Sequence, residues 1–348
     1  MAIRAALCAL LAVAFGATAN SCWATEPTAT LSPSAGTCLA EQAKPDPDGA
    51  SAEAVALRFV QALSAGDAAG VGAQMTTAGR ASATDAQIAA TLKGVQALGV
   101  DGQPTLSKAY ILNLNPAPTA ISRVPCMSPA PDAEMDFVAV GPAAKQAHVL
   151  FTAPTNGEGV VTYVIWLQVE EANWRIAAFW VSPSQMAGRS GVDWWEIAKK
   201  QRQERHDFNA ALIYETAQSL LDRGPNYQGP MILAVMSDAR TLTPPKELSG
   251  QFPLTWSMDG KTFKVVGVRH TGTSGGRSVL AIVQLSDFTS NEDADRQNHL
   301  LIDAFNKTHP EWREVFDWLA SKTCKPDGSL CFGSVYERKS GYLKGPPS

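Results

Sequence analysis

The residues whose types and spacing most directly suggest chemistry are those of Gly272–Gly276, which read Gly-Thr-Ser-Gly-Gly. A serine between glycines can lie on a tight turn with its hydroxyl exposed, where a neighbouring base can activate it as a nucleophile. Ser274 is therefore the candidate nucleophile of this chain. The chemistry that it would perform is acyl transfer to water.

Each established use of such a serine requires a context that this sequence lacks. A nucleophile elbow lies between a strand and a helix, whereas Arg277–Val283 after the serine is typical of a strand. A trypsin-like protease has an acidic residue before its serine and a proline after the glycines, but Thr273 and Arg277 stand there. Such a protease also has a histidine preceded by two alanines, and the upstream histidine that comes nearest to this pattern is His148. The motif therefore favours a hairpin loop, and hydrolysis at Ser274 is the alternative.

Candidate metal ligands are few. His299 and Asp303 lie four residues apart, so one face of a helix can present both to a cation. Neither His309 nor Glu311 has a spacing in the sequence that would clearly complete the set of metal ligands. The sequence has no C-x-x-C pair, no G-x-x-x-x-G-K-[ST] loop and no strand-coupled G-x-G-x-x-G. We therefore expect no metal and no cofactor, and we assign no catalytic residue.

Length and charge limit the classes of function. The chain has 348 residues, enough for about two domains. Its 29 basic and 33 acidic residues give a net charge of -4, without the basic excess that nucleic-acid binding requires. The most apolar later stretch, Val160–Val181, is interrupted by the polar residues Glu170–Asn173. Neither nucleic acid nor a membrane span is expected.

Residues 1–24 have the pattern of a secretory signal peptide. Arg4 precedes the apolar stretch Ala5–Phe15, which is too short to span a bilayer. Small residues then offer two cleavage points, after Ala19 and after Ala24. We therefore expect an exported protein, either periplasmic or secreted.

The cysteines support export and predict two disulfides. Cleavage after Ala24 removes Cys8 and Cys22 and leaves four cysteines, an even number suited to an oxidising compartment. Lipidation of Cys22 is an alternative, but Asn20 stands where that signal has a small apolar residue. We predict that the four remaining cysteines pair as Cys324 with Cys331, around a Pro-Asp-Gly turn, and Cys38 with Cys126.

After an extended Pro- and Ala-rich leader at 25–49, the pattern predicts helices first and strands afterwards. Apolar residues at helical spacing predict a helix over about Ser51–Ala65, then a short helix and a third one from about Asp85. Short segments rich in β-forming residues follow, from Lys108–Leu114 to Trp174–Val181. This order predicts an α+β fold with antiparallel strands.

Two segments of this half resemble parts of a known fold. The opening AVALRFVQALSAGDAAGVGAQM resembles the start of an NTF2-like (cystatin-like cone) domain, and VVTYVIWLQVEEANWRIAAFWVSP resembles its two closing strands. The resemblance covers about Ser51–Met186 and defines a predicted domain at 50–186. It implies a curved antiparallel sheet around helices, with a pocket between them. It implies no activity, since this fold hosts isomerases, dehydratases, ligand binders and interaction modules.

The resemblance also implies which side chains line that pocket. Alternation along Val160–Val169 puts Tyr163 on an apolar face, and Trp180 shares a face with Trp174 and Ile176 on the next strand. The inward faces of these strands line the pocket of an NTF2-like cone. Tyr163 and Trp180 are therefore the candidate ligand contacts, and core packing is the alternative for both.

Residues 192–348 predict a second small α+β unit. Its first helix begins with a charged, solvated segment that includes His206. Later in this unit, the Asp259-Gly260 pair predicts a hairpin between two strands. The predicted elements are helices over Asp193–Leu221 and Pro230–Arg240, strands over Leu254–Met258, Lys261–His270 and Ser278–Leu285, and helices over Glu292–Phe305 and Pro310–Ser321.

These features predict an exported, non-catalytic binding or interaction protein with an NTF2-like pocket. The expected partner is an unidentified protein or a small apolar ligand. A serine hydrolase or protease that uses Ser274 is the alternative.

Overall fold

The computed structural model describes residues 51–127, 135–156, 159–273 and 275–343, together with the backbone of Cys38–Ala40. Within them the fold is α+β, as the sequence predicts. The predicted signal peptide and Ser274 lie outside the described residues, and so does the predicted leader apart from Cys38–Ala40.

The chain divides into two compact units. Unit 1 is Met1–Ser184 with Leu221–Leu233, and unit 2 is Gln185–Leu220 with Ala234–Ser348. The domains predicted from the sequence, 50–186 and 192–348, are each continuous, whereas Leu221–Leu233 returns to unit 1.

Unit 1 opens with helices whose ends are fixed by local contacts. The Ser51 hydroxyl accepts the Ala54 N–H at 3.1 Å and begins the first helix, which ends at Gly66 with a φ of 73°. This left-handed conformation favours glycine. Thr84 and Gln87 form a capping box at the start of the fourth helix. The helices are α1 Ala52–Ala65, α2 Ala68–Gln74, α3 Thr77–Ser82 and α4 Asp85–Ala97.

A curled sheet follows, with the strand order β8-β7-β6-β5-β2-β1-β3-β4-β9. The β1 strand pairs with β3 in parallel, whereas β2 with β5, β5 with β6 and β3 with β4 are antiparallel. The strands are β1 Cys38–Ala40, β2 Thr105–Asn113, β3 Ser122–Met127, β4 Met135–Val140, β5 Lys145–Pro154, β6 Val160–Glu170, β7 Asn173–Met186, β8 Arg189–Ser190 and β9 Tyr227–Gln228.

The central strands of this sheet are buried on both faces. In β6, Tyr163 and Ile165 pack against the helices with Phe59 of α1. Val164, between them, packs on the opposite face with Tyr110 of β2. Successive residues of a strand point to opposite faces, so a strand covered on both sides needs a nearly continuous apolar run. The sequence of β6 has such a run.

The return of Leu221–Leu233 to unit 1 has a clear structural cause. Its strand β9 pairs antiparallel with β4, at the edge of the curled sheet. Tyr227 in this strand is 6% exposed and belongs to the cluster on the face opposite the helices. Two residues of strand are too short a signal for sequence patterns to identify.

Unit 2 contains a second sheet, with the order β10-β11-β12-β13-β14-β15. Strands β12 and β13 are parallel, and the other neighbours are antiparallel. Among the described residues, no helix is both long and apolar enough to cross a membrane. The remaining elements are α5 Gly191–Gln203, α6 Asp207–Leu221, α7 Pro230–Arg240, β10 Leu254–Met258, β11 Lys261–Gly272, β12 Ser278–Leu285, α8 Asn291–Thr308, a 3₁₀ helix at Pro310–Glu314, β13 Trp318–Cys324, β14 Cys331–Glu337 and β15 Gly341–Tyr342.

The single helix predicted over Asp193–Leu221 is wrong, because the chain forms two helices there. The His206 N–H donates to the Gln201 carbonyl at 2.9 Å, and the Arg205 N–H to that of Arg202 at 3.0 Å. These two bonds form the Schellman motif, which ends a helix with one left-handed residue. That residue is Arg205, with a φ of 62°. Glycine usually takes this position, so the sequence gives no stop signal.

The helix predicted over Pro310–Ser321 is also wrong. Only its first turn is helical, and Trp318–Cys324 forms β13, parallel to β12. Ser321 and Thr323 are fully buried in this strand, and both hydroxyls donate to the side-chain Oδ1 atom of Asn298, at 2.9 and 2.7 Å. Because polar residues occupy the buried positions, the alternation that marks a strand is absent from the sequence.

Candidate functional site

Unit 1 has a cavity of about 700 Å³ at the N-terminal end of α1. Its wall is formed by the first turns of α1, the end of α2, one residue each of β2 and β5, and the hairpin that joins β6 to β7. This volume lies within the range of small-molecule binding sites. The cavity is therefore the candidate functional site of unit 1.

The charged residues in the wall of the cavity are mostly cationic. Arg58, Lys145 and Arg175 line it together with a single acidic residue, Glu53. Ala52, the first residue of α1, also lines it, and the N-terminus of a helix carries a partial positive charge. The combined charge favours an anion.

The hairpin wall is held in place by two contacts. The Lys145 ammonium lies 5.3 Å from the centre of the Trp174 ring, a cation–π contact. The Arg175 guanidinium donates to the Ala73 carbonyl of α2 at 2.9 Å. The cavity wall thus contains an aromatic ring beside two positively charged side chains that these contacts position.

The turn of this hairpin has an unfavourable backbone. Glu171 and Ala172 both have positive φ angles, of 50° and 64°. A two-residue hairpin with this geometry normally carries Asn or Gly. Because neither residue has the glycine freedom, the turn is strained where it forms the cavity wall.

The two predicted ligand contacts lie on opposite faces of the sheet. Tyr163 is fully buried in the helix-facing core, and its hydroxyl lies 3.2 Å from that of Ser64. Trp180 packs on the other face, close to Gly224, where a Cβ would come within 2.5 Å of the indole. Neither residue lines the cavity. Ligand binding by Tyr163 and Trp180 stays a prediction.

A shift of phase along β7 places Trp180 away from Tyr163. Strict alternation predicts one shared face for Trp174, Ile176 and Trp180, but the helix-facing core contains Trp174, Ile176, Phe179 and Val181. The strand therefore changes phase after Ile176. At this point the Ile176 carbonyl accepts the Thr76 N–H at 2.8 Å, a long-range contact that no local pattern announces.

A buried charged cluster lies on the face of the sheet opposite the helices. Asp136 is 2% exposed and accepts hydrogen bonds from Lys108, at 2.8 Å, and from the Tyr110 hydroxyl. Burial and Asp136 together raise the pKa values of Tyr110 and Tyr227. No local sequence pattern indicates this cluster. Its donors neutralise and satisfy the carboxylate, so we assign it a structural role.

Unit 2 contains a serine–histidine pair that the sequence analysis also missed. The Nε2 atom of His270 lies 2.8 Å from the Ser278 hydroxyl, and its Nδ1 atom lies 3.0 Å from the Thr216 hydroxyl. Thr216 donates its own proton to the Leu212 carbonyl at 3.0 Å. It must therefore accept from Nδ1–H, which leaves Nε2 to accept from Ser278. This is the tautomer that a nucleophile–base pair uses.

The surroundings of this pair oppose catalysis. Ser278 is fully buried, and its backbone N–H donates to an Asp317 carboxylate oxygen at 3.1 Å. The His270 ring makes edge-to-face contacts with Trp194 and Phe316, at 4.5 and 5.0 Å between centroids. Burial, with a smaller effect of a nearby arginine, lowers the pKa of His270 to about 3. His270 is therefore a weak base, and the Ser278 hydroxyl is inaccessible to a substrate. We assign the pair to the core and not to catalysis.

The Gly-Thr-Ser-Gly-Gly segment lies between two antiparallel strands. Gly272 ends β11 and is paired with Ser278, which begins β12. The Thr273 N–H donates to the Arg277 carbonyl at 3.0 Å and closes the loop. The flanking elements are those of a hairpin, not of a strand followed by a helix. Ser274 itself lies outside the described residues.

Two of the histidines considered from the sequence, His148 and His299, have structural partners. His148 is fully buried, with Nε2 at 2.7 Å from the Ala139 carbonyl, and burial lowers its pKa to about 4. His299 and Asp303 are not brought together: His299 lies 3.5 Å from Asp295, and Asp303 accepts from the Tyr342 hydroxyl at 2.6 Å.

A disulfide joins Cys324 to Cys331, as the sequence predicts, and closes the β13–β14 hairpin. Cys126 is fully buried and disulfide-bonded. The parallel pairing of β1 with β3 places the backbone of Cys38 beside that of Cys126. This register is the one that the predicted Cys38–Cys126 bond requires, and the bond itself stays a prediction.

Comparisons with known proteins add no family. A scan against family models gave no match, and searches of curated proteins and of solved structures gave none either.

Proposed function

We propose that this chain is a non-catalytic binding protein that holds a small anionic molecule in the cavity of unit 1. The observation that carries the proposal is the wall of the cavity, where Arg58, Lys145 and Arg175 stand against one acidic residue, Glu53. Guanidinium groups bind carboxylates and phosphates through paired hydrogen bonds, and an ammonium group adds a point charge. This ligand is anionic, in contrast to the apolar ligand expected from the sequence.

The aromatic wall narrows the ligand further. Trp174 lines the cavity, and Lys145 lies over its ring. A ring or another flat apolar group attached to the anion would fit this surface. The proposed ligand class is therefore a carboxylate or phosphate that carries a small ring.

An NTF2-like fold for unit 1 and export of the protein belong to the same proposal. Helices that precede a curled, mostly antiparallel sheet support the fold. The Cys324–Cys331 disulfide supports an oxidising compartment. Peptide mapping without reduction, on protein from its native source, should recover Cys38 linked to Cys126 and an N-terminus at residue 20 or 25.

Thermal unfolding with matched probes tests the ligand class. Benzoate should raise the Tm of the wild type, and benzamide, which is neutral and nearly the same shape, should not. Lys145→Gln should reduce the benzoate shift. Lys93→Gln removes an exposed lysine of α4 outside the cavity, and it should keep the full shift. Equal shifts with both probes, or in both variants, would contradict the proposal.

A further inference from the structure

Unit 2 brings three metal-ligating side chains to one place at its surface. One ligand atom each from Glu204, His206 and Glu314 lie within 4.8 Å of one another. The Nδ1 atom of His206 is 3.3 Å from a Glu314 carboxylate oxygen and 3.7 Å from one of Glu204. We propose that these three residues bind a divalent transition-metal ion, with Zn²⁺ as the best match.

The distances fit the coordination of a small ion. With bonds of about 2.1 Å in a tetrahedral arrangement, Zn²⁺ holds its ligand atoms about 3.4 Å apart. The distances of His206 Nδ1 from the two carboxylates, 3.3 and 3.7 Å, lie close to that value. One imidazole and two carboxylates match the donor preference of Zn²⁺ better than that of Ca²⁺, which takes oxygen ligands. The fourth position would hold water.

The break between α5 and α6 creates this arrangement. In a continuous helix, Glu204 and His206 would point to different sides, because residues two apart do not share a face. The left-handed Arg205 ends the helix between them and lets both side chains approach Glu314, the last residue of the 3₁₀ helix. The solvated position predicted for His206 is therefore replaced by a clustered one, in which its side chain is 26% exposed.

A buried amide holds the two carboxylates in position. Gln201 is 2% exposed, and its Nε2 atom donates to oxygens of Glu204 and Glu314, at 3.2 and 3.0 Å. The Gln201 side-chain oxygen, Oε1, accepts from the side-chain amide of Asn209, itself fully buried, at 2.7 Å. Hydrogen bonds of this kind orient ligands around metal ions. Gln201 is therefore assigned as a positioning residue.

The negative charges of Glu204 and Glu314 favour a cation between them. Two carboxylates approach a single imidazole, and Lys200 lies 3.8 Å from the other Glu204 oxygen. Saturable uptake of Zn²⁺ by the full chain at pH 7.5 would show that the cation is a metal ion.

Isothermal titration of the full chain, untagged and freed of metal, tests the proposal. The wild type should bind one Zn²⁺ ion saturably and Ca²⁺ far more weakly. His206→Gln and Glu314→Gln should weaken Zn²⁺ binding at least about tenfold, and Gln201→Leu by about tenfold. His299→Gln, which removes another partly exposed histidine of unit 2, should bind as the wild type does. Unsaturable uptake, or equal binding by His206→Gln and wild type, would overturn the proposal.

A measurement on the unaltered protein covers the case in which a variant fails to fold. Diethylpyrocarbonate modifies accessible imidazoles, and peptide mass mapping locates each modified residue. Zn²⁺ should protect His206 from modification and leave His299 reactive, since the two side chains have similar exposure, 26% and 38%. No protection of His206, or equal protection of both, would overturn the proposal.

Discussion

The open cavity of unit 1 and the buried His270–Ser278 pair of unit 2 present chemistry-bearing residues in opposite ways. The cavity exposes cations to solvent and has volume for a ligand. The pair has the tautomer of a catalytic dyad, but Ser278 is fully buried and aromatic rings enclose His270. The comparison shows that a hydrogen-bond pattern assigns function only where a substrate can reach it. The cavity is therefore expected to bind a ligand, and the His270–Ser278 pair is expected to stabilise the fold.

The largest difference between the two regions should appear when a tryptophan of each is removed. Trp194 is fully buried against His270, so Trp194→Ala should lower the free energy of unfolding by about 3–5 kcal/mol. Trp174 is half-buried at the cavity, so Trp174→Ala should lower it by only about 1–2 kcal/mol. Urea unfolding of both variants measures the difference. Equal losses would remove the distinction between a closed and an open region.

Acid should act on the closed region through His270. Its folded pKa of about 3 lies below its ordinary value of 6.5, so the unfolded state binds more protons between these values. Stability should therefore fall as the pH falls below 6.5, by about 2–3 kcal/mol at pH 4.5 from this group alone. Urea unfolding at several pH values between 7 and 4.5 should show that the unfolding free energy of His270→Gln depends less on pH than that of the wild type. The same pH dependence in both proteins would show that His270 titrates normally in the folded protein.

Removing the Ser278 hydroxyl should have a smaller effect. Ser278→Ala leaves the buried Nε2 atom of His270 without its donor, which costs about 1–2 kcal/mol. Because Ser278 is assigned to the core, labelling by a fluorophosphonate probe should be absent in wild type and variant alike. Stoichiometric labelling of the wild type at Ser278 or Ser274 would instead support the hydrolase alternative.

The smallest effect is expected at the strained turn of the cavity wall. Ala172 has a φ of 64°, which glycine adopts without steric penalty. Ala172→Gly should therefore raise the free energy of unfolding by about 0.5–1 kcal/mol. Glycine in an unstrained, exposed helix position, as in Ala97→Gly at the end of α4, should destabilise instead. Destabilisation by Ala172→Gly would show that the turn is not strained.

Elements with a regular pattern were predictable, and elements defined by long-range contacts were not. The bounds of Leu254–Met258 and Ser278–Leu285 match the predicted strands, because apolar and turn residues mark them locally. The end of α5 at Gln203 carries no Gly or Pro, and β13 buries Ser321 and Thr323 against an asparagine of α8. Such features depend on partners distant in sequence.

The residues of the candidate site were not predictable from the sequence. Arg58 lies in α1, Lys145 begins β5 and Arg175 lies in β7, so their common cavity exists only after folding. The sequence placed ligand contacts by strict alternation, which fails where β7 changes phase after Ile176. The three proposed metal ligands were not predictable either, because Glu314 is distant in sequence from Glu204.

Isothermal titration with benzoate compares the two regions in one assay and shows which of them binds the ligand. Wild type and Ser278→Ala should bind benzoate with the same Kd, since Ser278 is assigned to the core. Lys145→Gln should bind at least about tenfold more weakly, as expected for the loss of one charged contact. Loss of binding in Ser278→Ala with normal binding in Lys145→Gln would contradict the account and move the functional site to unit 2.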